Sequence, residues 1–170
     1  MYSLLSHADF FFYFKDELQT ELPTEYPYPC RMSAQQARIG SSQVLHLPAI
    51  LQHRRRLAGW LENRIGWYGM ESREIGECAW LRYSFLVENR ADFIERFRKS
   101  FDLGVWFTSV VEGRSTNYRA VGYEIGTCPT AERVAQHIVN LPTHPRIPFD
   151  FLCSEVERNL GWIRASLIRL

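Results

Sequence analysis

Residues 79–101 read AWLRYSFLVENRADFIERFRKSF, and the hydrophobic period changes in the middle of this stretch. From Ala79 to Val87 the apolar residues Leu81, Tyr83, Phe85 and Val87 alternate with Arg82, Ser84 and Glu88, the period of a half-buried strand. From Ala91 to Phe101 the spacing lengthens, so Phe93, Ile94, Phe97 and Phe101 share one helical face while Arg96, Arg98 and Lys99 point away. A further apolar run at Gly104–Val111 predicts a second strand, giving strand, helix and strand in order.

Outward from that centre the chain is helical on both sides. Upstream, Ser33 stands three residues before Gln36, the spacing of a capping box, and predicts a helix over Ala34–Leu47. Pro48 ends that helix or opens the next, which carries Ile50, Leu51, Leu57, Ala58, Leu61 and Ile65 on one face, so the pair forms a helical hairpin or one bent helix. Gly66, Gly69 and Gly76 mark a loop before the strand. Downstream, Pro129 starts a helix with Ala131, Val134, Ala135, Ile138 and Val139 as its stripe, and Asn140–Pro148 is extended. A last helix places Leu152, Val156, Leu160, Ile163 and Leu167 in a row. The expected fold is α+β: a helical N-terminal half, then a small, mostly antiparallel sheet of about three strands packed with helices.

Before all this lies a segment of different character. Met1–Phe14 is apolar but interrupted by His7 and Asp9 and too short to span a bilayer, while Pro23, Pro27 and Pro29 make an extended connector. Residues 1–29 are therefore expected to be an arm and connector, and residues 30–170 the domain.

Composition narrows the function. The chain has 170 residues, 46% hydrophobic, enough to bury a core, and twenty basic residues against nineteen acidic ones leave a net charge of +1. That balance lacks the basic excess by which a protein neutralises phosphates, so neither nucleic acid nor membrane is expected as a partner. Cys30, Cys78, Cys128 and Cys153 stand far apart with no metal-ligand spacing, so no metal is expected and reduced thiols in a cytoplasmic protein are. Arg54, Arg55 and Arg56 are spread around a helix circumference and read as a solvated face, and Tyr118 and Tyr123 as loop residues.

Two stretches carry a resemblance. Arg31-Met32-Ser33-Ala34-Gln35-Gln36-Ala37 with Ile39-Gly40, followed by Gln43, Leu47 and Arg54-Arg55-Arg56, resembles the "RMS" helix and the arginine-bearing helix after it in the DegT/DnrJ sugar aminotransferases. Gly126-Thr127-Cys128-Pro129-Thr130-Ala131-Glu132-Arg133, followed by Val139-Asn140-Leu141-Pro142-Thr143-His144-Pro145, resembles that family's "CP-xAE … NLPTHP" ending. The resemblance covers roughly Tyr28 to the C-terminus. It implies a pyridoxal-phosphate enzyme of aspartate-aminotransferase type, dimeric, that transaminates keto-sugars attached to a nucleotide in polysaccharide or lipopolysaccharide precursor synthesis.

The matched part corresponds to the small C-terminal domain of such enzymes. Their large domain, with the Schiff-base lysine, would lie upstream of Met1. The two lysines here, Lys15 and Lys99, do not match the family's lysine motif, so the chain by itself is expected not to transaminate. By resemblance Arg31 approaches the cofactor phosphate and His144 lines the substrate cleft, while Pro29 replaces an asparagine that reaches the phosphate in many members. The implied partners are the missing large domain or a full-length homologue, a second copy in a homodimer, and a nucleotide sugar. A noncatalytic interaction or dimerisation module derived from the family is the alternative, and the missing neighbour would leave apolar surface on the helical hairpin and on the Phe10–Phe14 arm.

Overall fold

A computed structural model of the chain describes residues 31–68, 72–101, 103, 109–110, 118 and 122–169. Two compact units make up the chain: residues 31–105 with 137–170, and residues 1–30 with 106–136.

The first unit begins with α1, Ala34–Ile65. The Ser33 hydroxyl accepts the Gln36 amide at 3.2 Å and the Gln36 side chain accepts the Ser33 amide at 2.9 Å, so the capping box forms as expected. The helix then runs unbroken through Pro48. One bent or straight helix therefore replaces the hairpin alternative: Pro48 forfeits the bond to the Val44 carbonyl, and the strong helix formers on either side carry the helix across that gap. Gly66 closes it at φ 66°, where a side chain would be strained, donating its amide to the Glu62 carbonyl at 2.7 Å. The half before Ala49 is exposed throughout, and burial is complete only at Leu57, Ala58 and Leu61.

A short helix, α2 (Ser72–Glu77), occupies the expected glycine loop. Next come β1 (Arg82–Leu86) and α3 (Arg90–Phe97), where the period change in residues 79–101 falls as expected. Leu81 departs from the reading: it is 57% exposed and precedes the strand. The partner of β1 is β2, Ile138–Pro142, antiparallel, with Tyr83 opposite Leu141 and Phe85 opposite Val139. Ile138 and Val139 thus belong to a strand and not to the preceding helix stripe, because the ladder with β1 satisfies their backbone and suits their β-branched side chains. Among the described residues the sheet has two strands. Most of the expected Gly104–Val111 strand lies outside the described residues, as does the 1–29 arm with Phe10–Phe14 and Pro29.

The last helix, α4, spans Phe149–Ser166 with Leu152, Val156 and Ile163 buried as expected. Leu167 leaves the helix to bridge Val87, and the Ile168 amide bonds the Leu86 carbonyl at 3.1 Å, so the C-terminal tail extends the backbone pairing at the end of β1. The core between α1, the sheet, α3 and α4 is aromatic: Tyr83, Phe85, Phe93 and Phe97 are essentially inaccessible.

The described part of the second unit ends in helix Pro129–His137, whose last residue passes into the first unit. Pro129 opens it as expected, since its missing amide and fixed φ suit the first helical position.

Candidate functional site

The segment joining the expected His144 site to the core is built on a strained residue. Trp80 has φ 48°, a left-handed conformation that a bulky side chain rarely adopts and that costs on the order of 1–3 kcal/mol. Its surroundings hold it there. The indole stacks on Tyr83 at 5.8 Å, meets Tyr68 edge-on at 5.4 Å, and donates to the Ile75 carbonyl at 2.8 Å. The Trp80 carbonyl accepts Arg54 at 3.3 Å and the hydroxyl of Thr143 at 2.5 Å. That hydroxyl also lies 3.0 Å from the Leu81 carbonyl, so its one proton serves two acceptors.

Thr143 is fully buried and directly precedes His144, whose carbonyl accepts the Ile147 amide at 3.0 Å in a turn. The Leu-Pro-Thr-His-Pro segment is therefore pinned to Trp80 by the Thr143 hydroxyl, and that bond fixes where the half-buried His144 begins. Replacing Thr143 with Val keeps the shape and removes the hydroxyl donor, leaving Arg54 on the Trp80 carbonyl. Thr143→Val should destabilise the fold by about 1 kcal/mol in urea unfolding and shift the His144 ring signals in NMR spectra, because two half-buried carbonyls lose a hydrogen-bond partner. Unchanged His144 signals would show that the turn holds itself.

Arg54 and Arg55 are a correction to the sequence reading. Arg55 donates to the Cys78 carbonyl at 3.0 Å, and Arg54, its pKa lowered by burial and by nearby Arg82, donates to Trp80. Both tether residues 78–80 to α1, while Arg56 lies over the Phe149 ring at 3.9 Å. Nothing in the sequence marks a backbone carbonyl as an arginine's partner, so these roles were not visible there.

Arg31 sits apart from this junction. It is exposed ahead of α1, and about 30 Å of helix separates that end from Arg54 at 1.5 Å per residue. Arg31 and His144 are not brought together within one copy of the unit. Between them Met32, ahead of the helix, and Ile39, Val44, Leu45 and Leu47 on α1 are 45–80% exposed.

A second polar centre lies behind β1. Glu62 is buried on α1, and its Oε2 accepts the Tyr83 hydroxyl at 2.5 Å and the Tyr68 amide at 3.2 Å. Burial first, and then the bond to the Glu62 carboxylate, raise the Tyr83 pKa well above the ordinary phenol value, so this hydroxyl is a fixed donor and not an acid of use near neutrality.

In the second unit Glu132, in the first turn of its helix, reaches back to the loop before it. Its Oε1 accepts the Tyr123 hydroxyl at 2.7 Å and the Gly126 amide at 2.6 Å, and the Tyr123 oxygen accepts the Cys128 amide at 3.2 Å. The Tyr123 bond chiefly, then the amide bonds, hold the Glu132 pKa below its ordinary 4.5. Desolvation, then Glu132, push Tyr123 up to about 12. A depressed carboxylate stabilises above its ordinary pKa and loses that contribution as pH falls through the folded value. The 122–132 turn should therefore loosen in acid, below about pH 4.5, and Glu132→Gln should remove most of that pH dependence. Amide exchange at Gly126 between pH 6 and pH 3 (about the span of carboxylate titration) reads the effect, and equal pH dependence in both proteins would contradict it. Tyr123, expected to be an unremarkable loop residue, is thus part of a helix-entry network with Glu132.

Exposed thiols occur at Cys78 and Cys128. Cys153 is half-buried, and burial first, then Asp150, push its thiol up to about 11. It is protonated and poorly nucleophilic near neutrality. Among the described residues no group of His, Cys, Asp and Glu could hold a metal ion, and no helix is long and apolar enough to cross a membrane.

The described residues thus form a helix-rich α+β domain with a small two-stranded antiparallel sheet. Among family models, the one described as the DegT/DnrJ/EryC1/StrS aminotransferase family matches residues 13–151. The chain belongs to that family. No curated protein and no solved structure matches it.

The family is pyridoxal-phosphate-dependent, and the described residues do not by themselves fit that cofactor. Lys99, the single lysine among them, is exposed in the turn after α3, and Lys15 lies outside them. A cavity of the first unit, between α1, α2 and the start of α4, is lined by arginine, aromatic, glycine, asparagine and isoleucine residues and by no lysine.

Proposed function

We propose that this chain is the C-terminal small-domain part of a pyridoxal-phosphate-dependent nucleotide-sugar aminotransferase, acting on keto-sugars for polysaccharide or lipopolysaccharide precursors in the cytoplasm. Transamination then requires a lysine-bearing large domain, whether from a longer product or from a homologous chain. The observation that carries this reading is the family match over residues 13–151, joined to an α1 whose first half is wholly exposed and bears four large apolar side chains.

In the assembly α1 supplies a dimer- and domain-facing surface, Arg31 offers a guanidinium fork to the cofactor phosphate, and His144, held by Thr143, lines the substrate cleft. The separation of Arg31 from His144 supports a site made by more than one chain, since in a single copy of the unit about 30 Å of α1 lies between Arg31 and the Arg54–Trp80–Thr143 junction that holds His144. The exposed row on α1 also supports the alternative, a noncatalytic dimerisation module. Coexpression with the large domain of a family member separates the two. The enzyme reading predicts a complex that retains pyridoxal phosphate by its visible absorbance and transfers an amino group to a nucleotide-linked keto-sugar. A stable complex without cofactor or turnover would favour the module.

A further inference from the structure

A cavity of about 400 Å³ opens between α1, α2 and the start of α4, within the size range of small-molecule sites. We propose that it binds a planar aromatic anion, a ring system carrying a carboxylate or a phosphate. The proposal does not depend on transamination.

The walls supply both halves of that ligand. Trp60 and Phe149 meet edge-on with centroids 6.4 Å apart and give the cavity two aromatic surfaces set at 75°. The two rings already touch edge to face, so a flat ligand lies beside the pair and not between them, where it can meet the free face or edge of either ring, the arrangements aromatic pairs favour. Gly59 and Gly76 line the space, and both leave room for a side chain: a Cβ on Gly76 would meet nothing within 4 Å, and one on Gly59 would only touch Ile75, at 3.7 Å. Arg55, Arg56 and Asn63 provide the polar rim.

Charge decides the sign of the ligand. Arg56 lies 3.9 Å over the Phe149 ring and has no carboxylate partner among the described residues. Arg55 uses its Nε on the Cys78 carbonyl, leaving the two terminal nitrogens of the fork. The nearby Arg64 is already neutralised by Glu157 at 2.8 Å and covers the Trp60 ring from 5.6 Å. Two guanidinium groups beside an apolar slot with no acid in its lining favour an anion whose body is apolar and flat.

The test titrates the full 170-residue chain with 1-naphthyl phosphate, 1-naphthoate, neutral 1-naphthylmethanol and inorganic phosphate, following the Trp60 indole N–H by NMR and the Kd by calorimetry. Arg56→Gln, on an exposed side chain, should weaken binding of the naphthyl anion about tenfold, as loss of one charge-assisted hydrogen bond does. Gly76→Leu, which suits the helix and fills the cavity, should abolish binding while the circular dichroism spectrum stays unchanged. Tighter binding of the phosphate assigns the anionic group as phosphate, tighter binding of the carboxylate assigns it as carboxylate, and either supports the site. The proposal is overturned if naphthylmethanol or inorganic phosphate binds as tightly as the naphthyl anions. It is also overturned if no anion binds at millimolar concentration, or if Gly76→Leu leaves the Kd unchanged.

Discussion

Phe93→Ala should cost about 3–5 kcal/mol, enough to leave little cooperative unfolding in a domain of ordinary stability. Phe93 is completely buried on α3 and packs against three rings at once: Phe97 at 4.8 Å, Phe85 at 5.5 Å and Trp162 at 5.6 Å between centroids. Those neighbours come from α3 itself, from β1 and from α4, so one side chain joins three elements. Truncation removes the transfer energy of the ring and leaves a cavity that three rigid aromatic neighbours cannot close. Urea unfolding monitored by Trp fluorescence measures the loss. Phe93→Leu should recover about half of it, and a Phe93→Ala penalty near 1 kcal/mol (about the cost of a typical surface-to-core average substitution) would mean that the ring cluster does not hold these elements together.

Glu62→Ala should cost about 1–3 kcal/mol, although it removes a polar group from the interior. The reason is what it leaves behind: the buried Tyr83 hydroxyl and the part-buried Tyr68 amide both bond Glu62 Oε2, and a buried donor without a partner costs on the order of 1–3 kcal/mol. Tyr83→Phe removes one of those donors. In a double-mutant cycle the Glu62→Ala and Tyr83→Phe changes should therefore be less than additive, with a coupling of about 1–3 kcal/mol. Additivity of the two would show that Tyr83 and Glu62 do not depend on each other. The same pair matters to the proposed site, because Tyr83 supports the Trp80 indole from below and Trp80 carries the Thr143 anchor.

Elements whose side chains alone decide their form were legible in the sequence. The row Leu152, Val156, Leu160 and Ile163 could only be a helix face, and the Ser33 and Gln36 spacing located the start of α1 to the residue. What depends on distant backbone was not legible. Ile138 and Val139 continue the helical stripe of the preceding helix, and only the ladder with Phe85 and Leu86 makes them a strand. Pro48 argued for a break that the flanking helix formers override, and α2 has one buried apolar residue, Ile75, too few to show a period.

The site divides in the same way. Thr143 and His144 belong to a motif that could be read, and the Cys-Pro helix start was placed correctly. The strain at Trp80, the tethers from Arg54 and Arg55, and the bond from Tyr123 to Glu132 could not be, since each joins a side chain to a neighbour that folding alone brings near. The separation of Arg31 from His144 likewise follows from helix length and not from either residue.

The central claim is that this chain presents the first half of α1 to a lysine-bearing domain of its own family. Hydrogen exchange along α1, measured on the chain alone and after mixing with the large domain of a family member, tests it directly. Amides of Ala34–Leu47 should exchange rapidly alone and become protected in the mixture, while Leu57–Ile65, already packed in the core, should be protected in both. Unchanged exchange over Ala34–Leu47 in the mixture would contradict the account.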